Sequence, residues 1–76
     1  MMFCTVSVIG RDRQKHTLEV HAMSLFDAVD QAMQRWALLW WCTGDELAEV
    51  RFPGGSWKVS FERVRAWRGT RAHGPD

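Results

Sequence analysis

The spacing of apolar residues changes along the chain from a period of two to a helical period and back again. A period of two is typical of a half-buried β-strand, whereas a period near 3.6 is typical of an amphipathic helix. Alternating segments fall at residues 3–9, 17–22, 48–52 and 57–61, and the helical segment lies between the second and the third. The pattern predicts an α+β domain whose sheet is built from two hairpins.

One register of each predicted hairpin keeps all of its apolar residues on a single face of the sheet. In the first hairpin this register pairs Val6 with Val20. In the second it pairs Val50 with Val59, across a turn at residues 53–56. The opposite face of the sheet is predicted to be polar and open to water or to a polar partner.

A long helix is predicted over residues 24–41. Ser24 is a preferred N-cap residue, and Asp27 stands three positions later, where a capping box places its acid. The apolar residues that follow gather on one broad face, which we expect to pack across one face of the sheet. Leu38 and Trp41 fall toward the polar side of this helix, so either the helix ends early or another element covers them.

The remainder is predicted to be a short helix over residues 62–68 that stops at Gly69 and closes an edge of the sheet. Residues 1–69 then form a single α+β domain, and residues 70–76 form a polar C-terminal tail. The predicted order is ββαββα, with four strands in a mainly antiparallel sheet. The right-handed crossover rule makes strand three parallel in direction to strand two, so an all-antiparallel sheet requires strand order 2-1-3-4, which we prefer. Order 1-2-3-4 would include one parallel pair.

The composition sets bounds on partners and location. The chain has 76 residues, of which 46% are hydrophobic and 25% charged, and its net charge of +1 does not imply an obligatory polyanionic partner. No segment approaches the roughly 18 apolar residues that span a bilayer, and the first residues lack the pattern of a secretory signal. Cys4 and Cys42 are too far apart in sequence to indicate a disulfide framework or a zinc site. We therefore expect a cytoplasmic protein with free thiols and no bound metal, cofactor or membrane.

Five tryptophans are the most unusual feature of so short a chain. Four of them are predicted to lie in the core: Trp36, Trp40, Trp57 and Trp67. Trp41 is the exception, because it falls beside Leu38 on the polar side of the helix, and exposed aromatic residues often mark interfaces. Our leading hypothesis is a non-enzymatic protein-interaction module that self-associates or binds another protein. Its predicted interface consists of Leu38, Trp41 and Cys42.

A rival hypothesis starts from the uneven distribution of charge. Residues 1–57 carry five basic and seven acidic groups, a net of −2, whereas residues 58–76 carry five basic and two acidic groups, a net of +3. Basic side chains that converge on one surface can bind phosphates. The rival is therefore a nucleic-acid-binding accessory or antitoxin-like protein. Its predicted contacts are Arg11, Arg13, Arg63, Arg65, Arg68 and Arg71.

No sequence motif indicates catalysis. His16 and His21 have no acidic or thiol residue beside them at metal-ligand spacing. Cys42 is predicted at a helix C-terminus, where the helix dipole does not favour a thiolate. The glycines at residues 54–55 join two strands and precede no helix that could hold a phosphate. We expect the chain not to be an enzyme.

Two short segments carry the resemblances of this chain to known proteins. Residues 16–20 (His-Thr-Leu-Glu-Val) followed by residues 24–29 (Ser-Leu-Phe-Asp-Ala-Val) resemble small uncharacterised bacterial proteins of ββαββα order, which implies the fold but no function. The opening ββα also resembles the ubiquitin-like β-grasp fold, although a helix replaces its fifth strand and the tail lacks the terminal glycine pair of carrier proteins. A strand pair before a serine-capped helix is also similar to the small antitoxins of bacterial toxin–antitoxin pairs.

Overall fold

Two β-hairpins, each followed by a helix, make up the part of the chain that the computed structural model describes, which is residues 2–73, with side chains described for residues 2–69. The order is ββαββα, as the sequence predicted. The elements are β1 (Met2–Ile9), β2 (Lys15–Ala22), α1 (Leu25–Trp36), β3 (Leu47–Phe52), β4 (Gly55–Ser60) and α2 (Phe61–His73).

The four strands form one antiparallel sheet with the order β2-β1-β3-β4. The predicted order 2-1-3-4 is therefore confirmed. The connection through α1 carries the chain across the sheet, so that β3 pairs with β1 and leaves β2 at one edge. Strand β4 forms the other edge.

Both hairpins are displaced by two residues from the predicted registers. Val6 lies opposite Leu18 instead of Val20, and Val50 lies opposite Trp57 instead of Val59. A shift of two residues leaves every side chain on its predicted face, so the apolar pattern cannot distinguish the two registers. The turns decide between them: the first hairpin closes through a hydrogen bond of 3.0 Å from the Gly10 amide to the Gln14 carbonyl.

Helix α1 begins as predicted and ends five residues early. The Ser24 hydroxyl accepts a hydrogen bond of 3.1 Å from the Asp27 amide, and the Asp27 carboxylate accepts one of 2.9 Å from the Met23 amide. After Trp36 the chain forms tighter turns, in which the Leu39 amide donates to the Trp36 carbonyl. The prediction of a helix to residue 41 was wrong, because turning here carries Trp41 back toward the core.

Helix α2 follows β4 without a loop. The Ser60 hydroxyl accepts a hydrogen bond of 3.2 Å from the Arg63 amide and so caps the first turn. Phe61, which the sequence pattern assigned to the fourth strand, is instead the buried first residue of this helix. The helix also continues through Gly69 to His73, so Gly69 does not stop it as predicted. Residues 74–76 of the predicted tail lie outside the described residues.

The core lies between the two helices and one face of the sheet. Ala28 and Ala32 of α1 are fully buried and one turn apart, which lets the helix approach the strands closely. Of the four tryptophans predicted to be core residues, Trp36 is buried and Trp67 is half-buried against the core, while Trp40 and Trp57 are exposed. The prediction was therefore wrong for Trp40 and for Trp57, which lies on the edge strand β4.

Candidate interaction surface

The structure separates the three residues of the predicted interface. Trp41 is buried, and its ring packs between His16 of β2 and Trp36 of α1. Leu38 points away from the core with 98% of its surface exposed, and Cys42 is half-buried. The prediction that Trp41 faces a partner was wrong. Because α1 ends at Trp36, Trp41 turns toward the core and the neighbouring Trp40 is exposed instead.

Leu38, Leu39 and Trp40 form an exposed apolar segment, which we call the tip. They are 98%, 42% and 68% exposed. Single exposed apolar residues are common on protein surfaces, whereas a contiguous exposed apolar patch often marks an interaction site. In the described part of the chain, the tip is therefore a candidate interaction surface.

Hydrogen bonds fix the backbone on both sides of the tip. The Leu39 amide donates to the Trp36 carbonyl and the Cys42 amide donates to the Leu39 carbonyl, both over 3.0 Å. Arg11, in the β1–β2 turn, donates from its amide to the Trp41 carbonyl (2.9 Å) and from Nε to the Trp40 carbonyl (2.6 Å). A partner that binds the tip would meet a preorganised segment, which lowers the entropic cost of binding.

Sequence reasoning missed two of the residues of the tip, Leu39 and Trp40, because a straight helix would bury them.

Ile9 and Leu47 are a further pair of exposed apolar residues, and they lie on the sheet face that the helices leave open. The period-two pattern could have found Ile9, because it is two positions from Ser7 and so lies on the same sheet face, opposite the core. Ile9 and Leu47 line a shallow depression of about 500 Å³ together with Lys15, Lys58 and Glu49.

Cys42 lies outside the tip and has the chemistry of an inert thiol. Its sulfur is 3.6 Å from a carboxylate oxygen of Glu46. Burial and the negative charge of Glu46 raise the pKa of the Cys42 thiol, although a hydrogen bond from the Gly44 amide opposes them. The thiol is therefore protonated near neutral pH.

Glu46 organises the loop that follows the tip. Its carboxylate accepts hydrogen bonds from the Thr43 amide (2.7 Å), the Thr43 hydroxyl (3.0 Å) and the Gly44 amide (2.9 Å). Burial raises the pKa of this carboxyl, but the hydrogen bonds outweigh burial and hold the pKa below its ordinary value. All of these partners belong to the loop, so the buried charge has a structural role.

Asp12 and His16 form a carboxylate–imidazole pair with a separation of 3.0 Å. Burial raises the pKa of Asp12, but hydrogen bonds from the Gln14 amide and from His16, together with the charge of His16, outweigh it and lower the pKa. The His16 ring lies flat against Trp41. The pair therefore fastens the β1–β2 turn to the core.

The candidate nucleic-acid contacts are mostly engaged within the chain. Arg11 is bound to the carbonyl groups described above, Arg65 donates to Gly44 and Asp45, and Arg68 is paired with Asp30. Arg63 lies 5.7 Å from the centre of the Phe26 ring. Arg13 is exposed, and the side chain of Arg71 lies outside the described residues.

Within the described residues, no group of three or more histidine, cysteine, aspartate or glutamate side chains is arranged to hold a metal ion. No helix in that part of the chain is long and apolar enough to cross a membrane.

Comparisons of the chain with protein-family profiles, with curated proteins and with solved structures find no match. The resemblance to small uncharacterised bacterial proteins therefore stays a prediction.

Proposed function

We propose that this chain is a non-enzymatic protein-interaction module that self-associates, and that the tip supplies the apolar part of the contact. One observation carries the proposal: Leu38, Leu39 and Trp40 are exposed on a backbone that hydrogen bonds hold in place. Covering an apolar surface of this kind with a partner stabilises the complex by about 25 cal/mol for each Å² removed from water.

A second copy of the chain suits this surface. A domain of 76 residues has a small core, and domains of this size often gain stability from association. The net charge of +1 produces little repulsion between copies. The tip also adjoins the β1–β2 turn, because Arg11 in this turn binds the Trp40 and Trp41 carbonyls, so this turn lies beside the proposed contact.

We place the module in the cytoplasm. Cys4 is buried and Cys42 is half-buried, and both are free thiols. Reducing compartments keep thiols in this state. The proposal predicts that the function does not depend on a disulfide.

The proposal is tested by measuring the mass of the protein in solution. Light scattering over a range of concentrations, at low and high salt, is applied to the wild type and to the double variant Leu38→Glu, Trp40→Glu. The matched control is Met23→Glu, Trp57→Glu, which changes two exposed apolar residues outside the tip. Circular dichroism establishes that all three proteins are folded.

We expect the wild type and the control to associate in a manner that resists salt, because the contact is apolar. The tip variant should be monomeric. A wild type that remains monomeric at millimolar concentration, or a tip variant that associates as strongly as the wild type, would contradict the proposal.

A further inference from the structure

The edge strand β2 has an open side whose backbone groups can be identified. Hydrogen-bonded and non-bonded pairs alternate along an antiparallel ladder. The Gly10 amide donates to the Gln14 carbonyl, so the pair 10–14 is bonded and the even-numbered residues of β2 bond to β1. The odd-numbered residues therefore direct their N–H and C=O groups away from β1. They are Lys15, Thr17, Glu19 and His21.

A side chain from α1 supports this assignment and marks the end of the open edge. The side-chain amide of Gln31 donates a hydrogen bond of 2.8 Å to the His21 carbonyl and another of 3.2 Å to the carboxylate of Asp27. Because Gln31 belongs to α1, the His21 carbonyl must face away from β1. Because Gln31 occupies the His21 carbonyl, the open edge consists of Lys15, Thr17 and Glu19.

These three residues form a self-complementary sequence. We propose, as a development of the proposed function and resting on it, that two copies of the chain pair through their β2 edges, antiparallel, with Thr17 on the two-fold axis. Lys15 of each copy then lies opposite Glu19 of the other, on the same face of the joined sheet. The three bonded pairs supply six backbone hydrogen bonds, since each such pair exchanges two.

Two registers shifted toward the Ala22 end of β2 are less favourable. An axis at Leu18 places Lys15 opposite His21 of the second copy, and this pairing displaces Gln31 from the His21 carbonyl. An axis at Glu19 places two glutamates opposite each other, which is destabilising. The register centred on Thr17 keeps Gln31 in place and pairs opposite charges twice.

The same pairing brings in the tip. The ring of Trp41 stacks on His16, and Arg11 binds the Trp40 carbonyl, so the tip lies at the Lys15 end of β2. In the proposed dimer this end is next to the Glu19 end of the second copy. A cleft of about 880 Å³ lies there between β2 and α1, and its lining includes Leu18, Val20, Gln34 and Arg35. The proposed pairing therefore puts the tip of one copy at the same end of the joined strands as this cleft of the other.

A charge exchange tests the pairing. Lys15→Glu and Glu19→Lys each place like charges opposite each other twice, so we expect each single variant to weaken the dimer about tenfold or more. The double variant Lys15→Glu, Glu19→Lys restores both pairs and should recover the wild-type dissociation constant. Lys58→Glu, on the outward face of the other edge strand, is the matched control and should have no effect. A double variant weaker than both single variants would overturn the pairing.

Cysteine cross-linking tests the register. In the Cys42→Ser background, Thr17→Cys places two thiols across the axis in a bonded pair, whose Cα atoms are about 5.5 Å apart and within the range of a disulfide. We expect rapid oxidation of this variant to a covalent dimer. Glu19→Cys should not cross-link, because its thiol faces Lys15. The reverse result would overturn the proposed register.

The outcomes distinguish this inference from the proposed function. A wild type that is monomeric at all concentrations overturns both. A wild type that associates through the tip, with no response to the charge variants, retains the proposed function and overturns the β2 pairing.

Discussion

The rings of His16 and Trp41 lie parallel, with 3.6 Å between their centroids and 4° between their planes. Trp36 meets the same indole edge-on at 5.4 Å. This cluster ties the end of α1 to the start of β2, and Arg11 adds hydrogen bonds from the turn between the strands. It separates two neighbouring tryptophans: Trp41 is held in the core, while Trp40 is presented to solvent.

The two neighbouring tryptophans should respond differently to truncation. Trp41→Ala leaves a cavity between His16 and Trp36, and we expect it to lower the free energy of unfolding by about 3–5 kcal/mol. Trp40→Ala removes an exposed side chain and should change the unfolding free energy of the monomer by less than about 0.5 kcal/mol. Urea denaturation measures both changes in unfolding free energy, at protein concentrations too low for the dimer to form. Equal losses would show that Trp41 is not a core residue.

Gly10 provides the space that Trp41 occupies. A Cβ atom on Gly10 would lie 2.8 Å from Cε3 of Trp41 and 2.7 Å from Oδ1 of Asp12. Gly10→Ala must displace the ring or the turn, and we expect it to destabilise the fold by about 1–3 kcal/mol.

Gly69 offers the matched control for Gly10. A Cβ atom there meets nothing within 4 Å, and Gly69 lies inside α2. Gly69→Ala should therefore stabilise the fold by about 0.5–1 kcal/mol, because alanine has the higher helix propensity. Thermal denaturation of the two variants should shift in opposite directions. A loss of stability in both would contradict the role of Gly10 as a close-approach position.

The sequence predicts the fold well because most of the fold depends on which face a side chain occupies. The period of two places Val6 and Val50 correctly, and the capping pattern places the start of α1 at Ser24. The registers were wrong by two residues because such a shift changes no face. They depend on turn geometry, and in the first turn Arg13 adopts a positive φ of 62°, which its residue type does not indicate.

The tip was harder to predict because its exposure depends on where α1 ends. A helix continued to residue 41 buries Trp40 and exposes Trp41, and the observed turn after Trp36 reverses this. The partners that stabilise the turn are distant in sequence: His16 and Arg11 belong to the first hairpin. No local pattern shows such contacts. Leu38 was correctly expected to face outward because it is exposed in either arrangement.

The hydrogen bonds to Glu46 predict a pH dependence of stability. The pKa of its carboxyl is below the ordinary value of 4.5 in the folded chain, so the ionised form stabilises the fold above that pH. This contribution should be lost as the pH falls through 4.5 toward the lower pKa of the folded state.

Glu46→Gln isolates this contribution. The amide cannot replace both charge-assisted hydrogen bonds from backbone amides, so we expect a loss of about 1–3 kcal/mol at neutral pH. The variant should also show a shallower fall in stability between pH 5 and pH 3, which is about the range in which carboxylates protonate. Urea denaturation across this range measures the difference. A parallel pH dependence in the two proteins would assign the wild-type slope to other carboxylates.

The arrangement of the arginines predicts weak binding to nucleic acid. Three of the candidate contacts, Arg11, Arg65 and Arg68, already bind acceptors within the chain, and a phosphate would have to displace those partners. We expect affinity for duplex DNA no stronger than the non-specific range, with Kd about 10⁻⁴–10⁻⁶ M at physiological salt. Fluorescence anisotropy with a labelled duplex, between 50 and 200 mM salt, measures it. As a control, Arg13→Glu changes an exposed arginine and should reduce whatever binding remains. Binding in the nanomolar range that Arg68→Glu abolishes would instead favour the nucleic-acid hypothesis, because it would show that Arg68 leaves Asp30 for a phosphate.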